Sequence, residues 1–310
     1  MDYSVIIPAY NASNTIRLCI RSILNQELQD SITGEIIVVD DGSTDDTREK
    51  VTGYNSSEPT LRILQHSENR GLAAARNTGL EASSGEILFF LDSDMTAEKD
   101  YIQSHLEYYE SAPDISGIIN KYVPGDETPR TKFTRYLYRK SRGAGQSGEG
   151  GTVPAHQILF GCTSMRRTVY EQVGGFDENL KAYGGDDTEY AFRITQQIQS
   201  QFIYTAKTEL QHHHFRTLDR TRTLLYQYGK ESVPYLVEKY PELSSRVGLD
   251  IVGWSADGTY SSVRKAVLLS SITEGLGRFL YTITPPPVSH IFVRYLLGVA
   301  VLRGFFEATE

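Results

Sequence analysis

Apolar runs and helical stripes alternate along the first ~120 residues. Tyr3–Pro8 is a short apolar strand, and Asn14–Asn25 sets Ile16, Ile20, Ile23 and Leu24 at helical spacing. Glu35–Val39 is a β-branched strand that stops at Asp40-Asp41-Gly42-Ser43. A helix is predicted from Thr44, with Ser43 or Thr44 as its cap and acids at its positive end. Leu61–Gln65 is a third strand, Leu72–Leu80 an Ala-rich helix, and Glu86–Leu91 a fourth strand cut off by Asp92-Ser93-Asp94. This alternation predicts an α/β protein with a mainly parallel sheet and helices on both faces. Ligands of such sheets bind beyond the carboxyl ends of the strands. Polar clusters fall at those ends: Tyr10-Asn11, Asp40-Asp41 and Asp92/Asp94.

The pattern changes at Thr128–Gly151. Arg130, Lys132, Arg135, Arg139, Lys140 and Arg142 interleave with Phe133, Tyr136, Leu137 and Tyr138, and a Gly-rich loop follows. Ile158–Met165 is expected to be a strand, Thr188–Ile198 a helix and Phe202–Thr205 the last strand of the sheet. After Arg220 the chain turns helical and apolar, broken at Pro285-Pro286-Pro287.

With 310 residues, 39% hydrophobic and 23% charged, the chain is globular in composition. Its net charge of −8 is the wrong sign for a general nucleic-acid binder, so no nucleic-acid partner is expected. Cys19 and Cys162 form neither a disulfide framework nor a zinc pattern, which suits a reducing compartment. Met1–Asn11 lacks the basic and apolar regions of a signal peptide, and a cytoplasmic location is expected.

Several constellations carry chemistry. Two carboxylates at i and i+2 on a strand end, Asp92 and Asp94, suit a divalent ion and a ribose. Asp40–Asp45 reads equally as a capped turn or as a strand-end acid for a base or ribose. Gly71, within Asn69-Arg70-Gly71, permits close backbone approach to a ligand, and an Arg there suits phosphate. Asp186 and Asp187 either cap a helix or supply a general base. In His212-His213-His214, strand alternation puts His212 and His214 on one side, beside the proposed metal site.

Five motifs occur in order: Ser4-Val5-Ile6-Ile7-Pro8-Ala9-Tyr10-Asn11, Val38-Val39-Asp40-Asp41-Gly42-Ser43-Thr44-Asp45, Asn69-Arg70-Gly71, Leu91-Asp92-Ser93-Asp94 and Gly174-Gly175-Phe176-Asp177. Together they resemble the inverting family 2 glycosyltransferases of GT-A fold, over residues 3–217. The resemblance implies a catalytic domain at 1–217, with a nucleotide-sugar half at 1–120 and an acceptor half at 121–217. It implies that Pro8, Tyr10 and one or both of Asp40 and Asp41 hold base and ribose, with Gly71 and Arg76 lining the same pocket. Asp92 and Ser93 would also meet the nucleotide sugar, and Asp94 a Mg²⁺ or Mn²⁺ ion completed by His212 or His214. The family's base falls on Asp187, with Asp186 as the rival because the usual Glu-Asp pair is Asp-Asp here. The implied donor is a nucleotide sugar, UDP-linked by family frequency, used in a single inverting displacement.

Residues 218–310 lie outside the resemblance and are expected to form a helical extension. In Val263–Tyr281, Leu268, Leu269, Ile272, Leu276 and Phe279 share a face opposite Arg264, Glu274 and Arg278. Val288–Phe306 is apolar nearly all round, with arginines that could snorkel. Two readings stand: helices packed on the catalytic domain, or peripheral attachment to an anionic membrane at the inner face of the cell membrane, aided by residues 130–142. The acceptor is then a lipid-linked (polyprenyl-phosphate) or cell-surface glycan. The alternatives are a soluble transferase on a diffusible or protein acceptor, a non-catalytic sugar-nucleotide-binding subunit, and a nucleotidyltransferase, for which Ala9–Thr15 offers no phosphate loop.

Overall fold

The computed structural model describes residues 1–52, 54, 59–199, 201–255 and 257–310. It divides into two compact units, one of residues 1–128, 140–181 and 186–214, the other of 129–139, 182–185 and 215–310.

The first unit runs β1 (Tyr3–Ala9), α1 (Ile16–Leu24), β2 (Gly34–Asp40), α2 (Thr47–Thr52), β3 (Thr60–Gln65), α3 (Leu72–Ala82), β4 (Ile87–Leu91), β5 (Met95–Ala97), α4 (Tyr101–Ser111) and β6 (Gly117–Pro124). After α5 (Lys132–Leu137), which belongs to the second unit, come β7 (Cys162–Arg166), α6 (Arg167–Val173), α7 (Asp186–Gln197) and β8 (Phe202–His212). One eight-stranded sheet results, in the order β3-β2-β1-β4-β7-β6-β8-β5. The pairs β2–β3, β1–β2, β1–β4 and β6–β8 are parallel, and β4–β7, β6–β7 and β5–β8 antiparallel. The sheet is therefore mixed, its parallel half being the one the alternation predicted. Strands β1, β2 and β4 are buried along their whole length, as strands covered on both faces must be. Ile16, Cys19, Ile20 and Ile23 form the buried stripe of α1.

Three expectations shift. Helix α2 begins at Thr47 rather than Thr44, because Asp45 takes the Thr47 N–H at 3.0 Å while Ser43 and Thr44 are engaged by Asn11. The strand expected from Ile158 starts at Cys162, since Ala155–Gln157 forms a 3₁₀ turn. The last strand continues past Thr205 to His212.

The second unit holds α5, α8 (Leu218–Gln227), α9 (Val233–Lys239), α10 (Ser262–Leu269), α11 (Ser271–Ile283) and α12 (Ser289–Thr309). The single helix read over 263–281 is two, because Ser270 adopts extended geometry and its hydroxyl caps α11 at the Thr273 N–H, 3.2 Å away. Val293, Leu297, Val301, Leu302, Phe305 and Phe306 of α12 are core residues. They pack with Val233, Val237, Leu249 and Val252 or with Phe133 and Tyr136. Among the described residues no helix is long and apolar enough to cross a membrane. Lys132 is consumed locally: its Nζ meets the Tyr281, Thr282 and Thr284 carbonyls at 3.2, 2.6 and 2.8 Å, capping the negative end of α11.

Candidate active site

Parallel strands β2, β1 and β4 end at Asp40, Ala9 and Leu91 on one edge of the sheet. Asp40 and Asp92 thus emerge two strands apart, roughly 10 Å. Pro8 is buried at the end of β1, and Tyr10 beyond it is 50% exposed. Asn11 sits in left-handed geometry and ties the two strand ends. Its N–H donates to Ser43 Oγ (3.0 Å) and its Oδ1 accepts the Thr44 N–H (2.9 Å).

Adjacent acids here have different environments. Asp41 is saturated by protein: it accepts the N–H groups of Arg70 and Gly71, each at 2.9 Å, and lies 2.6 Å from His66 Nδ1. It clamps the turn into α3, where Gly71 holds a φ of 97° that costs a side-chain-bearing residue dearly. Asp40 is buried, with Oδ1 accepting the Ser43 N–H at 3.1 Å and Oδ2 without a partner among the described residues. A buried carboxylate oxygen left open costs free energy unless a ligand donor meets it.

Arg76 is the hub of a second cluster. Only 1% exposed, it places Nη1 2.8 Å from both Asp186 Oδ2 and Asp187 Oδ1, and Nη2 3.4 Å from Asp92 Oδ1. Its guanidinium also lies over the Phe176 ring, 5.1 Å from the centroid. Burial works against its charge, yet the three carboxylates outweigh burial and raise its pKa. Asp187 Oδ1 additionally accepts the Phe160 N–H at 3.2 Å, and Asp187 is 23% exposed against 7% for Asp186. One oxygen of Asp187 is thus committed twice over, while Oδ2 carries no bond to protein among the described residues.

The third cluster is Asp94 with the histidines. Asp94 Oδ2 lies 3.4 Å from His212 Nε2 and 3.4 Å from His214 Nδ1, and the two rings stack 6.2 Å apart. Burial alone would raise the Asp94 pKa, but the two imidazoles hold it far below the ordinary carboxylate range. Alternation along β8 sends His213 elsewhere, to Thr96 Oγ1 and Glu127 Oε1 at 2.8 Å each. Asp94 Oδ1 is buried without a partner among the described residues. Among the described residues no group of three His, Cys, Asp or Glu stands as a ready metal cage. The open carboxylate oxygen of Asp94, with substrate oxygens, suits Mg²⁺ or Mn²⁺, and the two imidazoles favour Mn²⁺ over the oxygen-preferring Mg²⁺. Ser93, half-buried, lies between the second and third clusters.

Two supporting residues carried no sequence signal. A Cβ on Gly161 would lie 2.2 Å from Asp92 Oδ2, so only glycine lets that carboxylate sit where it does. Asn77 fastens α3 to the Gly174-Gly175-Phe176-Asp177 loop, donating to the Phe176 carbonyl (2.9 Å) and accepting its N–H (2.7 Å).

Strand order, the acids at the strand ends and the ordered motifs define a nucleotide-sugar-type GT-A domain. The family model "Glycosyl transferase family 2" matches residues 4–174, and the chain belongs to that family, whose members are glycosyltransferases. A second model, "N-terminal domain of galactosyltransferase", matches residues 150–216. Glycosyltransferase AglE of Haloferax volcanii is 30% identical over 194 residues, 62% of this chain and 60% of that protein. The glucosyl-dolichyl phosphate glucuronosyltransferase of the same organism is 24% identical over 313 residues, covering 98% of this chain and 95% of that one. The first three curated relatives are matched over only 60%, 14% and 36% of their lengths. Among solved structures, the mannosyltransferase PcManGT from Pyrobaculum calidifontis, in complex with GDP-Man and Mn²⁺, superposes with a TM-score of 0.61 at 20% identity, covering 97% of this chain and 86% of that one. S. aureus TarS 1-349 with UDP-GlcNAc gives 0.56 at 17% identity, covering 100% and 91%. These likenesses establish the GT-A fold.

Proposed function

We propose that this chain moves a sugar from a UDP-sugar to a hydroxyl of a lipid-linked or cell-surface glycan, with inversion, in the first unit. The observation that carries the reading is Asp187: a carboxylate anchored through one oxygen by Arg76 and Phe160, with no bond to the other among the described residues, and joined through Arg76 to the strand-end acid Asp92. Asp187 takes the proton of the acceptor hydroxyl as that oxygen attacks the anomeric carbon in line. Arg76, itself paired with Asp186, and the Phe160 N–H hold it in place, and no covalent enzyme intermediate is needed. Asp40 reads the base, whereas Asp41 only shapes the Gly71 turn. With Oδ2 alone open, Asp40 matches the single imide N–H of uracil better than the paired donors of guanine, which supports UDP over GDP. Pro8, Tyr10 and Gly71 border the base and ribose, and Asp92 and Ser93 face the sugar and ribose. Asp94, His212 and His214 would hold Mg²⁺ or Mn²⁺, which supplies positive charge to the departing diphosphate. The full-length match to a protein named for a dolichyl-phosphate-linked acceptor supports a lipid-linked acceptor and a peripheral membrane position.

The test is a nucleotide-sugar panel scored by nucleoside diphosphate release, with and without polyprenyl-phosphate-linked acceptors. Release from a UDP-sugar, accelerated by the lipid acceptor, is expected. Acceleration by water-soluble glycans alone would move the assignment to a diffusible acceptor. Asp94→Asn should keep the fold yet lose most turnover, and full activity in excess EDTA would contradict the metal. Gly161→Ala, by pushing Asp92 aside, should lower transfer by about 10²-fold with an unchanged circular dichroism spectrum. Normal kinetics in that variant would remove Asp92 from the donor site.

A further inference from the structure

Helix α11 of the second unit is built inside out. Ile272, Leu276, Phe279 and Ile283 recur at i, i+4, i+7 and i+11, one narrow stripe of the helix. That stripe faces solvent, with the four side chains 81%, 55%, 58% and 57% exposed. The opposite side carries Glu274, Gly277 and Tyr281, and Glu274 is only 12% exposed, ion-paired with Arg222, Arg278 and Arg303. Helix α10 repeats the arrangement with exposed Val263 and Val267, and Val288 and Ile291 continue it beyond α11. Soluble helices turn the apolar stripe inward and the charges out, so this contiguous reversal marks a surface that something covers.

The charges say what covers it. Between residues 262 and 291 the one carboxylate, Glu274, is turned inward, and the exposed charges are Arg264 and Arg278, the latter paired with Glu274 and with the exposed Asp219 of α8. Arg294, exposed one turn beyond Ile291, adds a second cation that no carboxylate neutralises among the described residues. Arg264 and Arg294 have no ion-pair partner among the described residues. A two-fold contact between copies would set these like charges in the same small interface, at a cost. A bilayer surface of anionic phospholipid takes both features at once, with apolar side chains below the headgroups and arginines among them. We infer that the α10–α11 face inserts into the interface of an anionic phospholipid membrane, Ile272, Leu276, Phe279 and Ile283 being the buried residues. This deepens the membrane position proposed above and does not depend on the transfer chemistry. Of the two segments read as attaching, 263–281 and 288–306, the second contributes only Val288 and Ile291, since from Val293 on α12 spends its apolar side chains in the core.

The experiment is co-sedimentation of the full chain with phosphatidylcholine vesicles, with and without phosphatidylglycerol, at low salt and at high salt. Binding is expected to the anionic vesicles, weakened but not abolished by salt. The pair Leu276→Asn and Phe279→Asn should reduce the partition coefficient at least ~10-fold, with an unchanged circular dichroism spectrum. Arg264→Gln with Arg294→Gln should lower the preference for phosphatidylglycerol several-fold. Should the asparagine pair fail to fold, Ile272→Ser, on the most exposed position, replaces it. Wild-type protein left in the supernatant overturns the proposal, as does vesicle binding indifferent to the stripe. So does a dimer in analytical ultracentrifugation that the stripe variants dissociate while vesicle binding is absent. Nucleoside diphosphate release in the same samples separates the two readings. Release lost with binding intact counts against the transfer assignment, and binding lost with release intact from a soluble acceptor counts against the lipid face.

Discussion

Asp187→Asn is expected to cut sugar transfer ~10²–10⁴-fold, the usual cost of removing a general base, while nucleotide-sugar affinity stays near that of the unaltered chain. The same change should not lower the melting temperature. Three carboxylates share Arg76, and removing one leaves the guanidinium with Asp92 and Asp186 while relieving repulsion. Burial raises the Asp187 pKa, against the pull of Arg76 and with added repulsion from Asp92. Burial and then the charge of Asp187, opposed by Arg76, push Asp186 to about 6. A base in this role works only when deprotonated, so with its pKa raised by burial transfer should fall off already at a pH above the ordinary carboxylate value of ~3.9. For stability the sign is the reverse of a salt-bridged acid. The folded state binds the Asp186 proton more tightly than the unfolded chain, so the contribution of Asp186 is best at low pH and declines as pH rises through about 6. Single-turnover rates across pH, with thermal melts of the same samples, check both. A dead Asp186→Asn beside an active Asp187→Asn would hand the role to the neighbour.

How much of this was legible depended on whether the partners were local. The runs of β1, β2 and β4 are continuous and apolar and end in polar residues, so the parallel half of the sheet and the polar cluster at its carboxyl end could be read directly. The antiparallel half could not: β5 has three residues, and β6 reads Gly-Ile-Ile-Asn-Lys-Tyr-Val-Pro, with polar residues in a strand whose neighbours supply their hydrogen bonds. Alternation was enough to put His212 and His214 together and His213 apart. No local pattern distinguishes Asp40 from Asp41, which differ only in what the turn at Gly71 offers. Arg76 looks like an ordinary helical cation, and its burial is settled by acids 110 and 111 residues further on. The apolar stripe in 263–281 was visible, but periodicity says that a stripe exists and not which way it points. Its direction is decided by the three arginines gathered on Glu274, two of them from other helices.

Arg76→Met should be the most destabilising single change in the first unit. Removing one partner of a buried ion pair typically costs 3–5 kcal/mol, because the charges left behind stay buried. Here Asp186, 7% exposed, and the half-buried Asp187 would lose the cation 2.8 Å from each. For a unit of this size that loss corresponds to roughly 6–20 °C in melting temperature. If charge is the cause, the deficit must shrink on acidification, since protonating Asp186 and Asp187 removes what Arg76 was neutralising. It must shrink also in the double variant Arg76→Met with Asp186→Asn, a non-additivity expected only of residues sharing one network. Arg76→Lys should rescue little, because one ammonium cannot serve Asp186 and Asp187 through one nitrogen and Asp92 through another. Melts at pH 5 and pH 8 decide the matter. An equal deficit at both, with no rescue by Asp186→Asn, would assign the loss to the stacking of Arg76 on Phe176 and leave the three carboxylates to be held by something else.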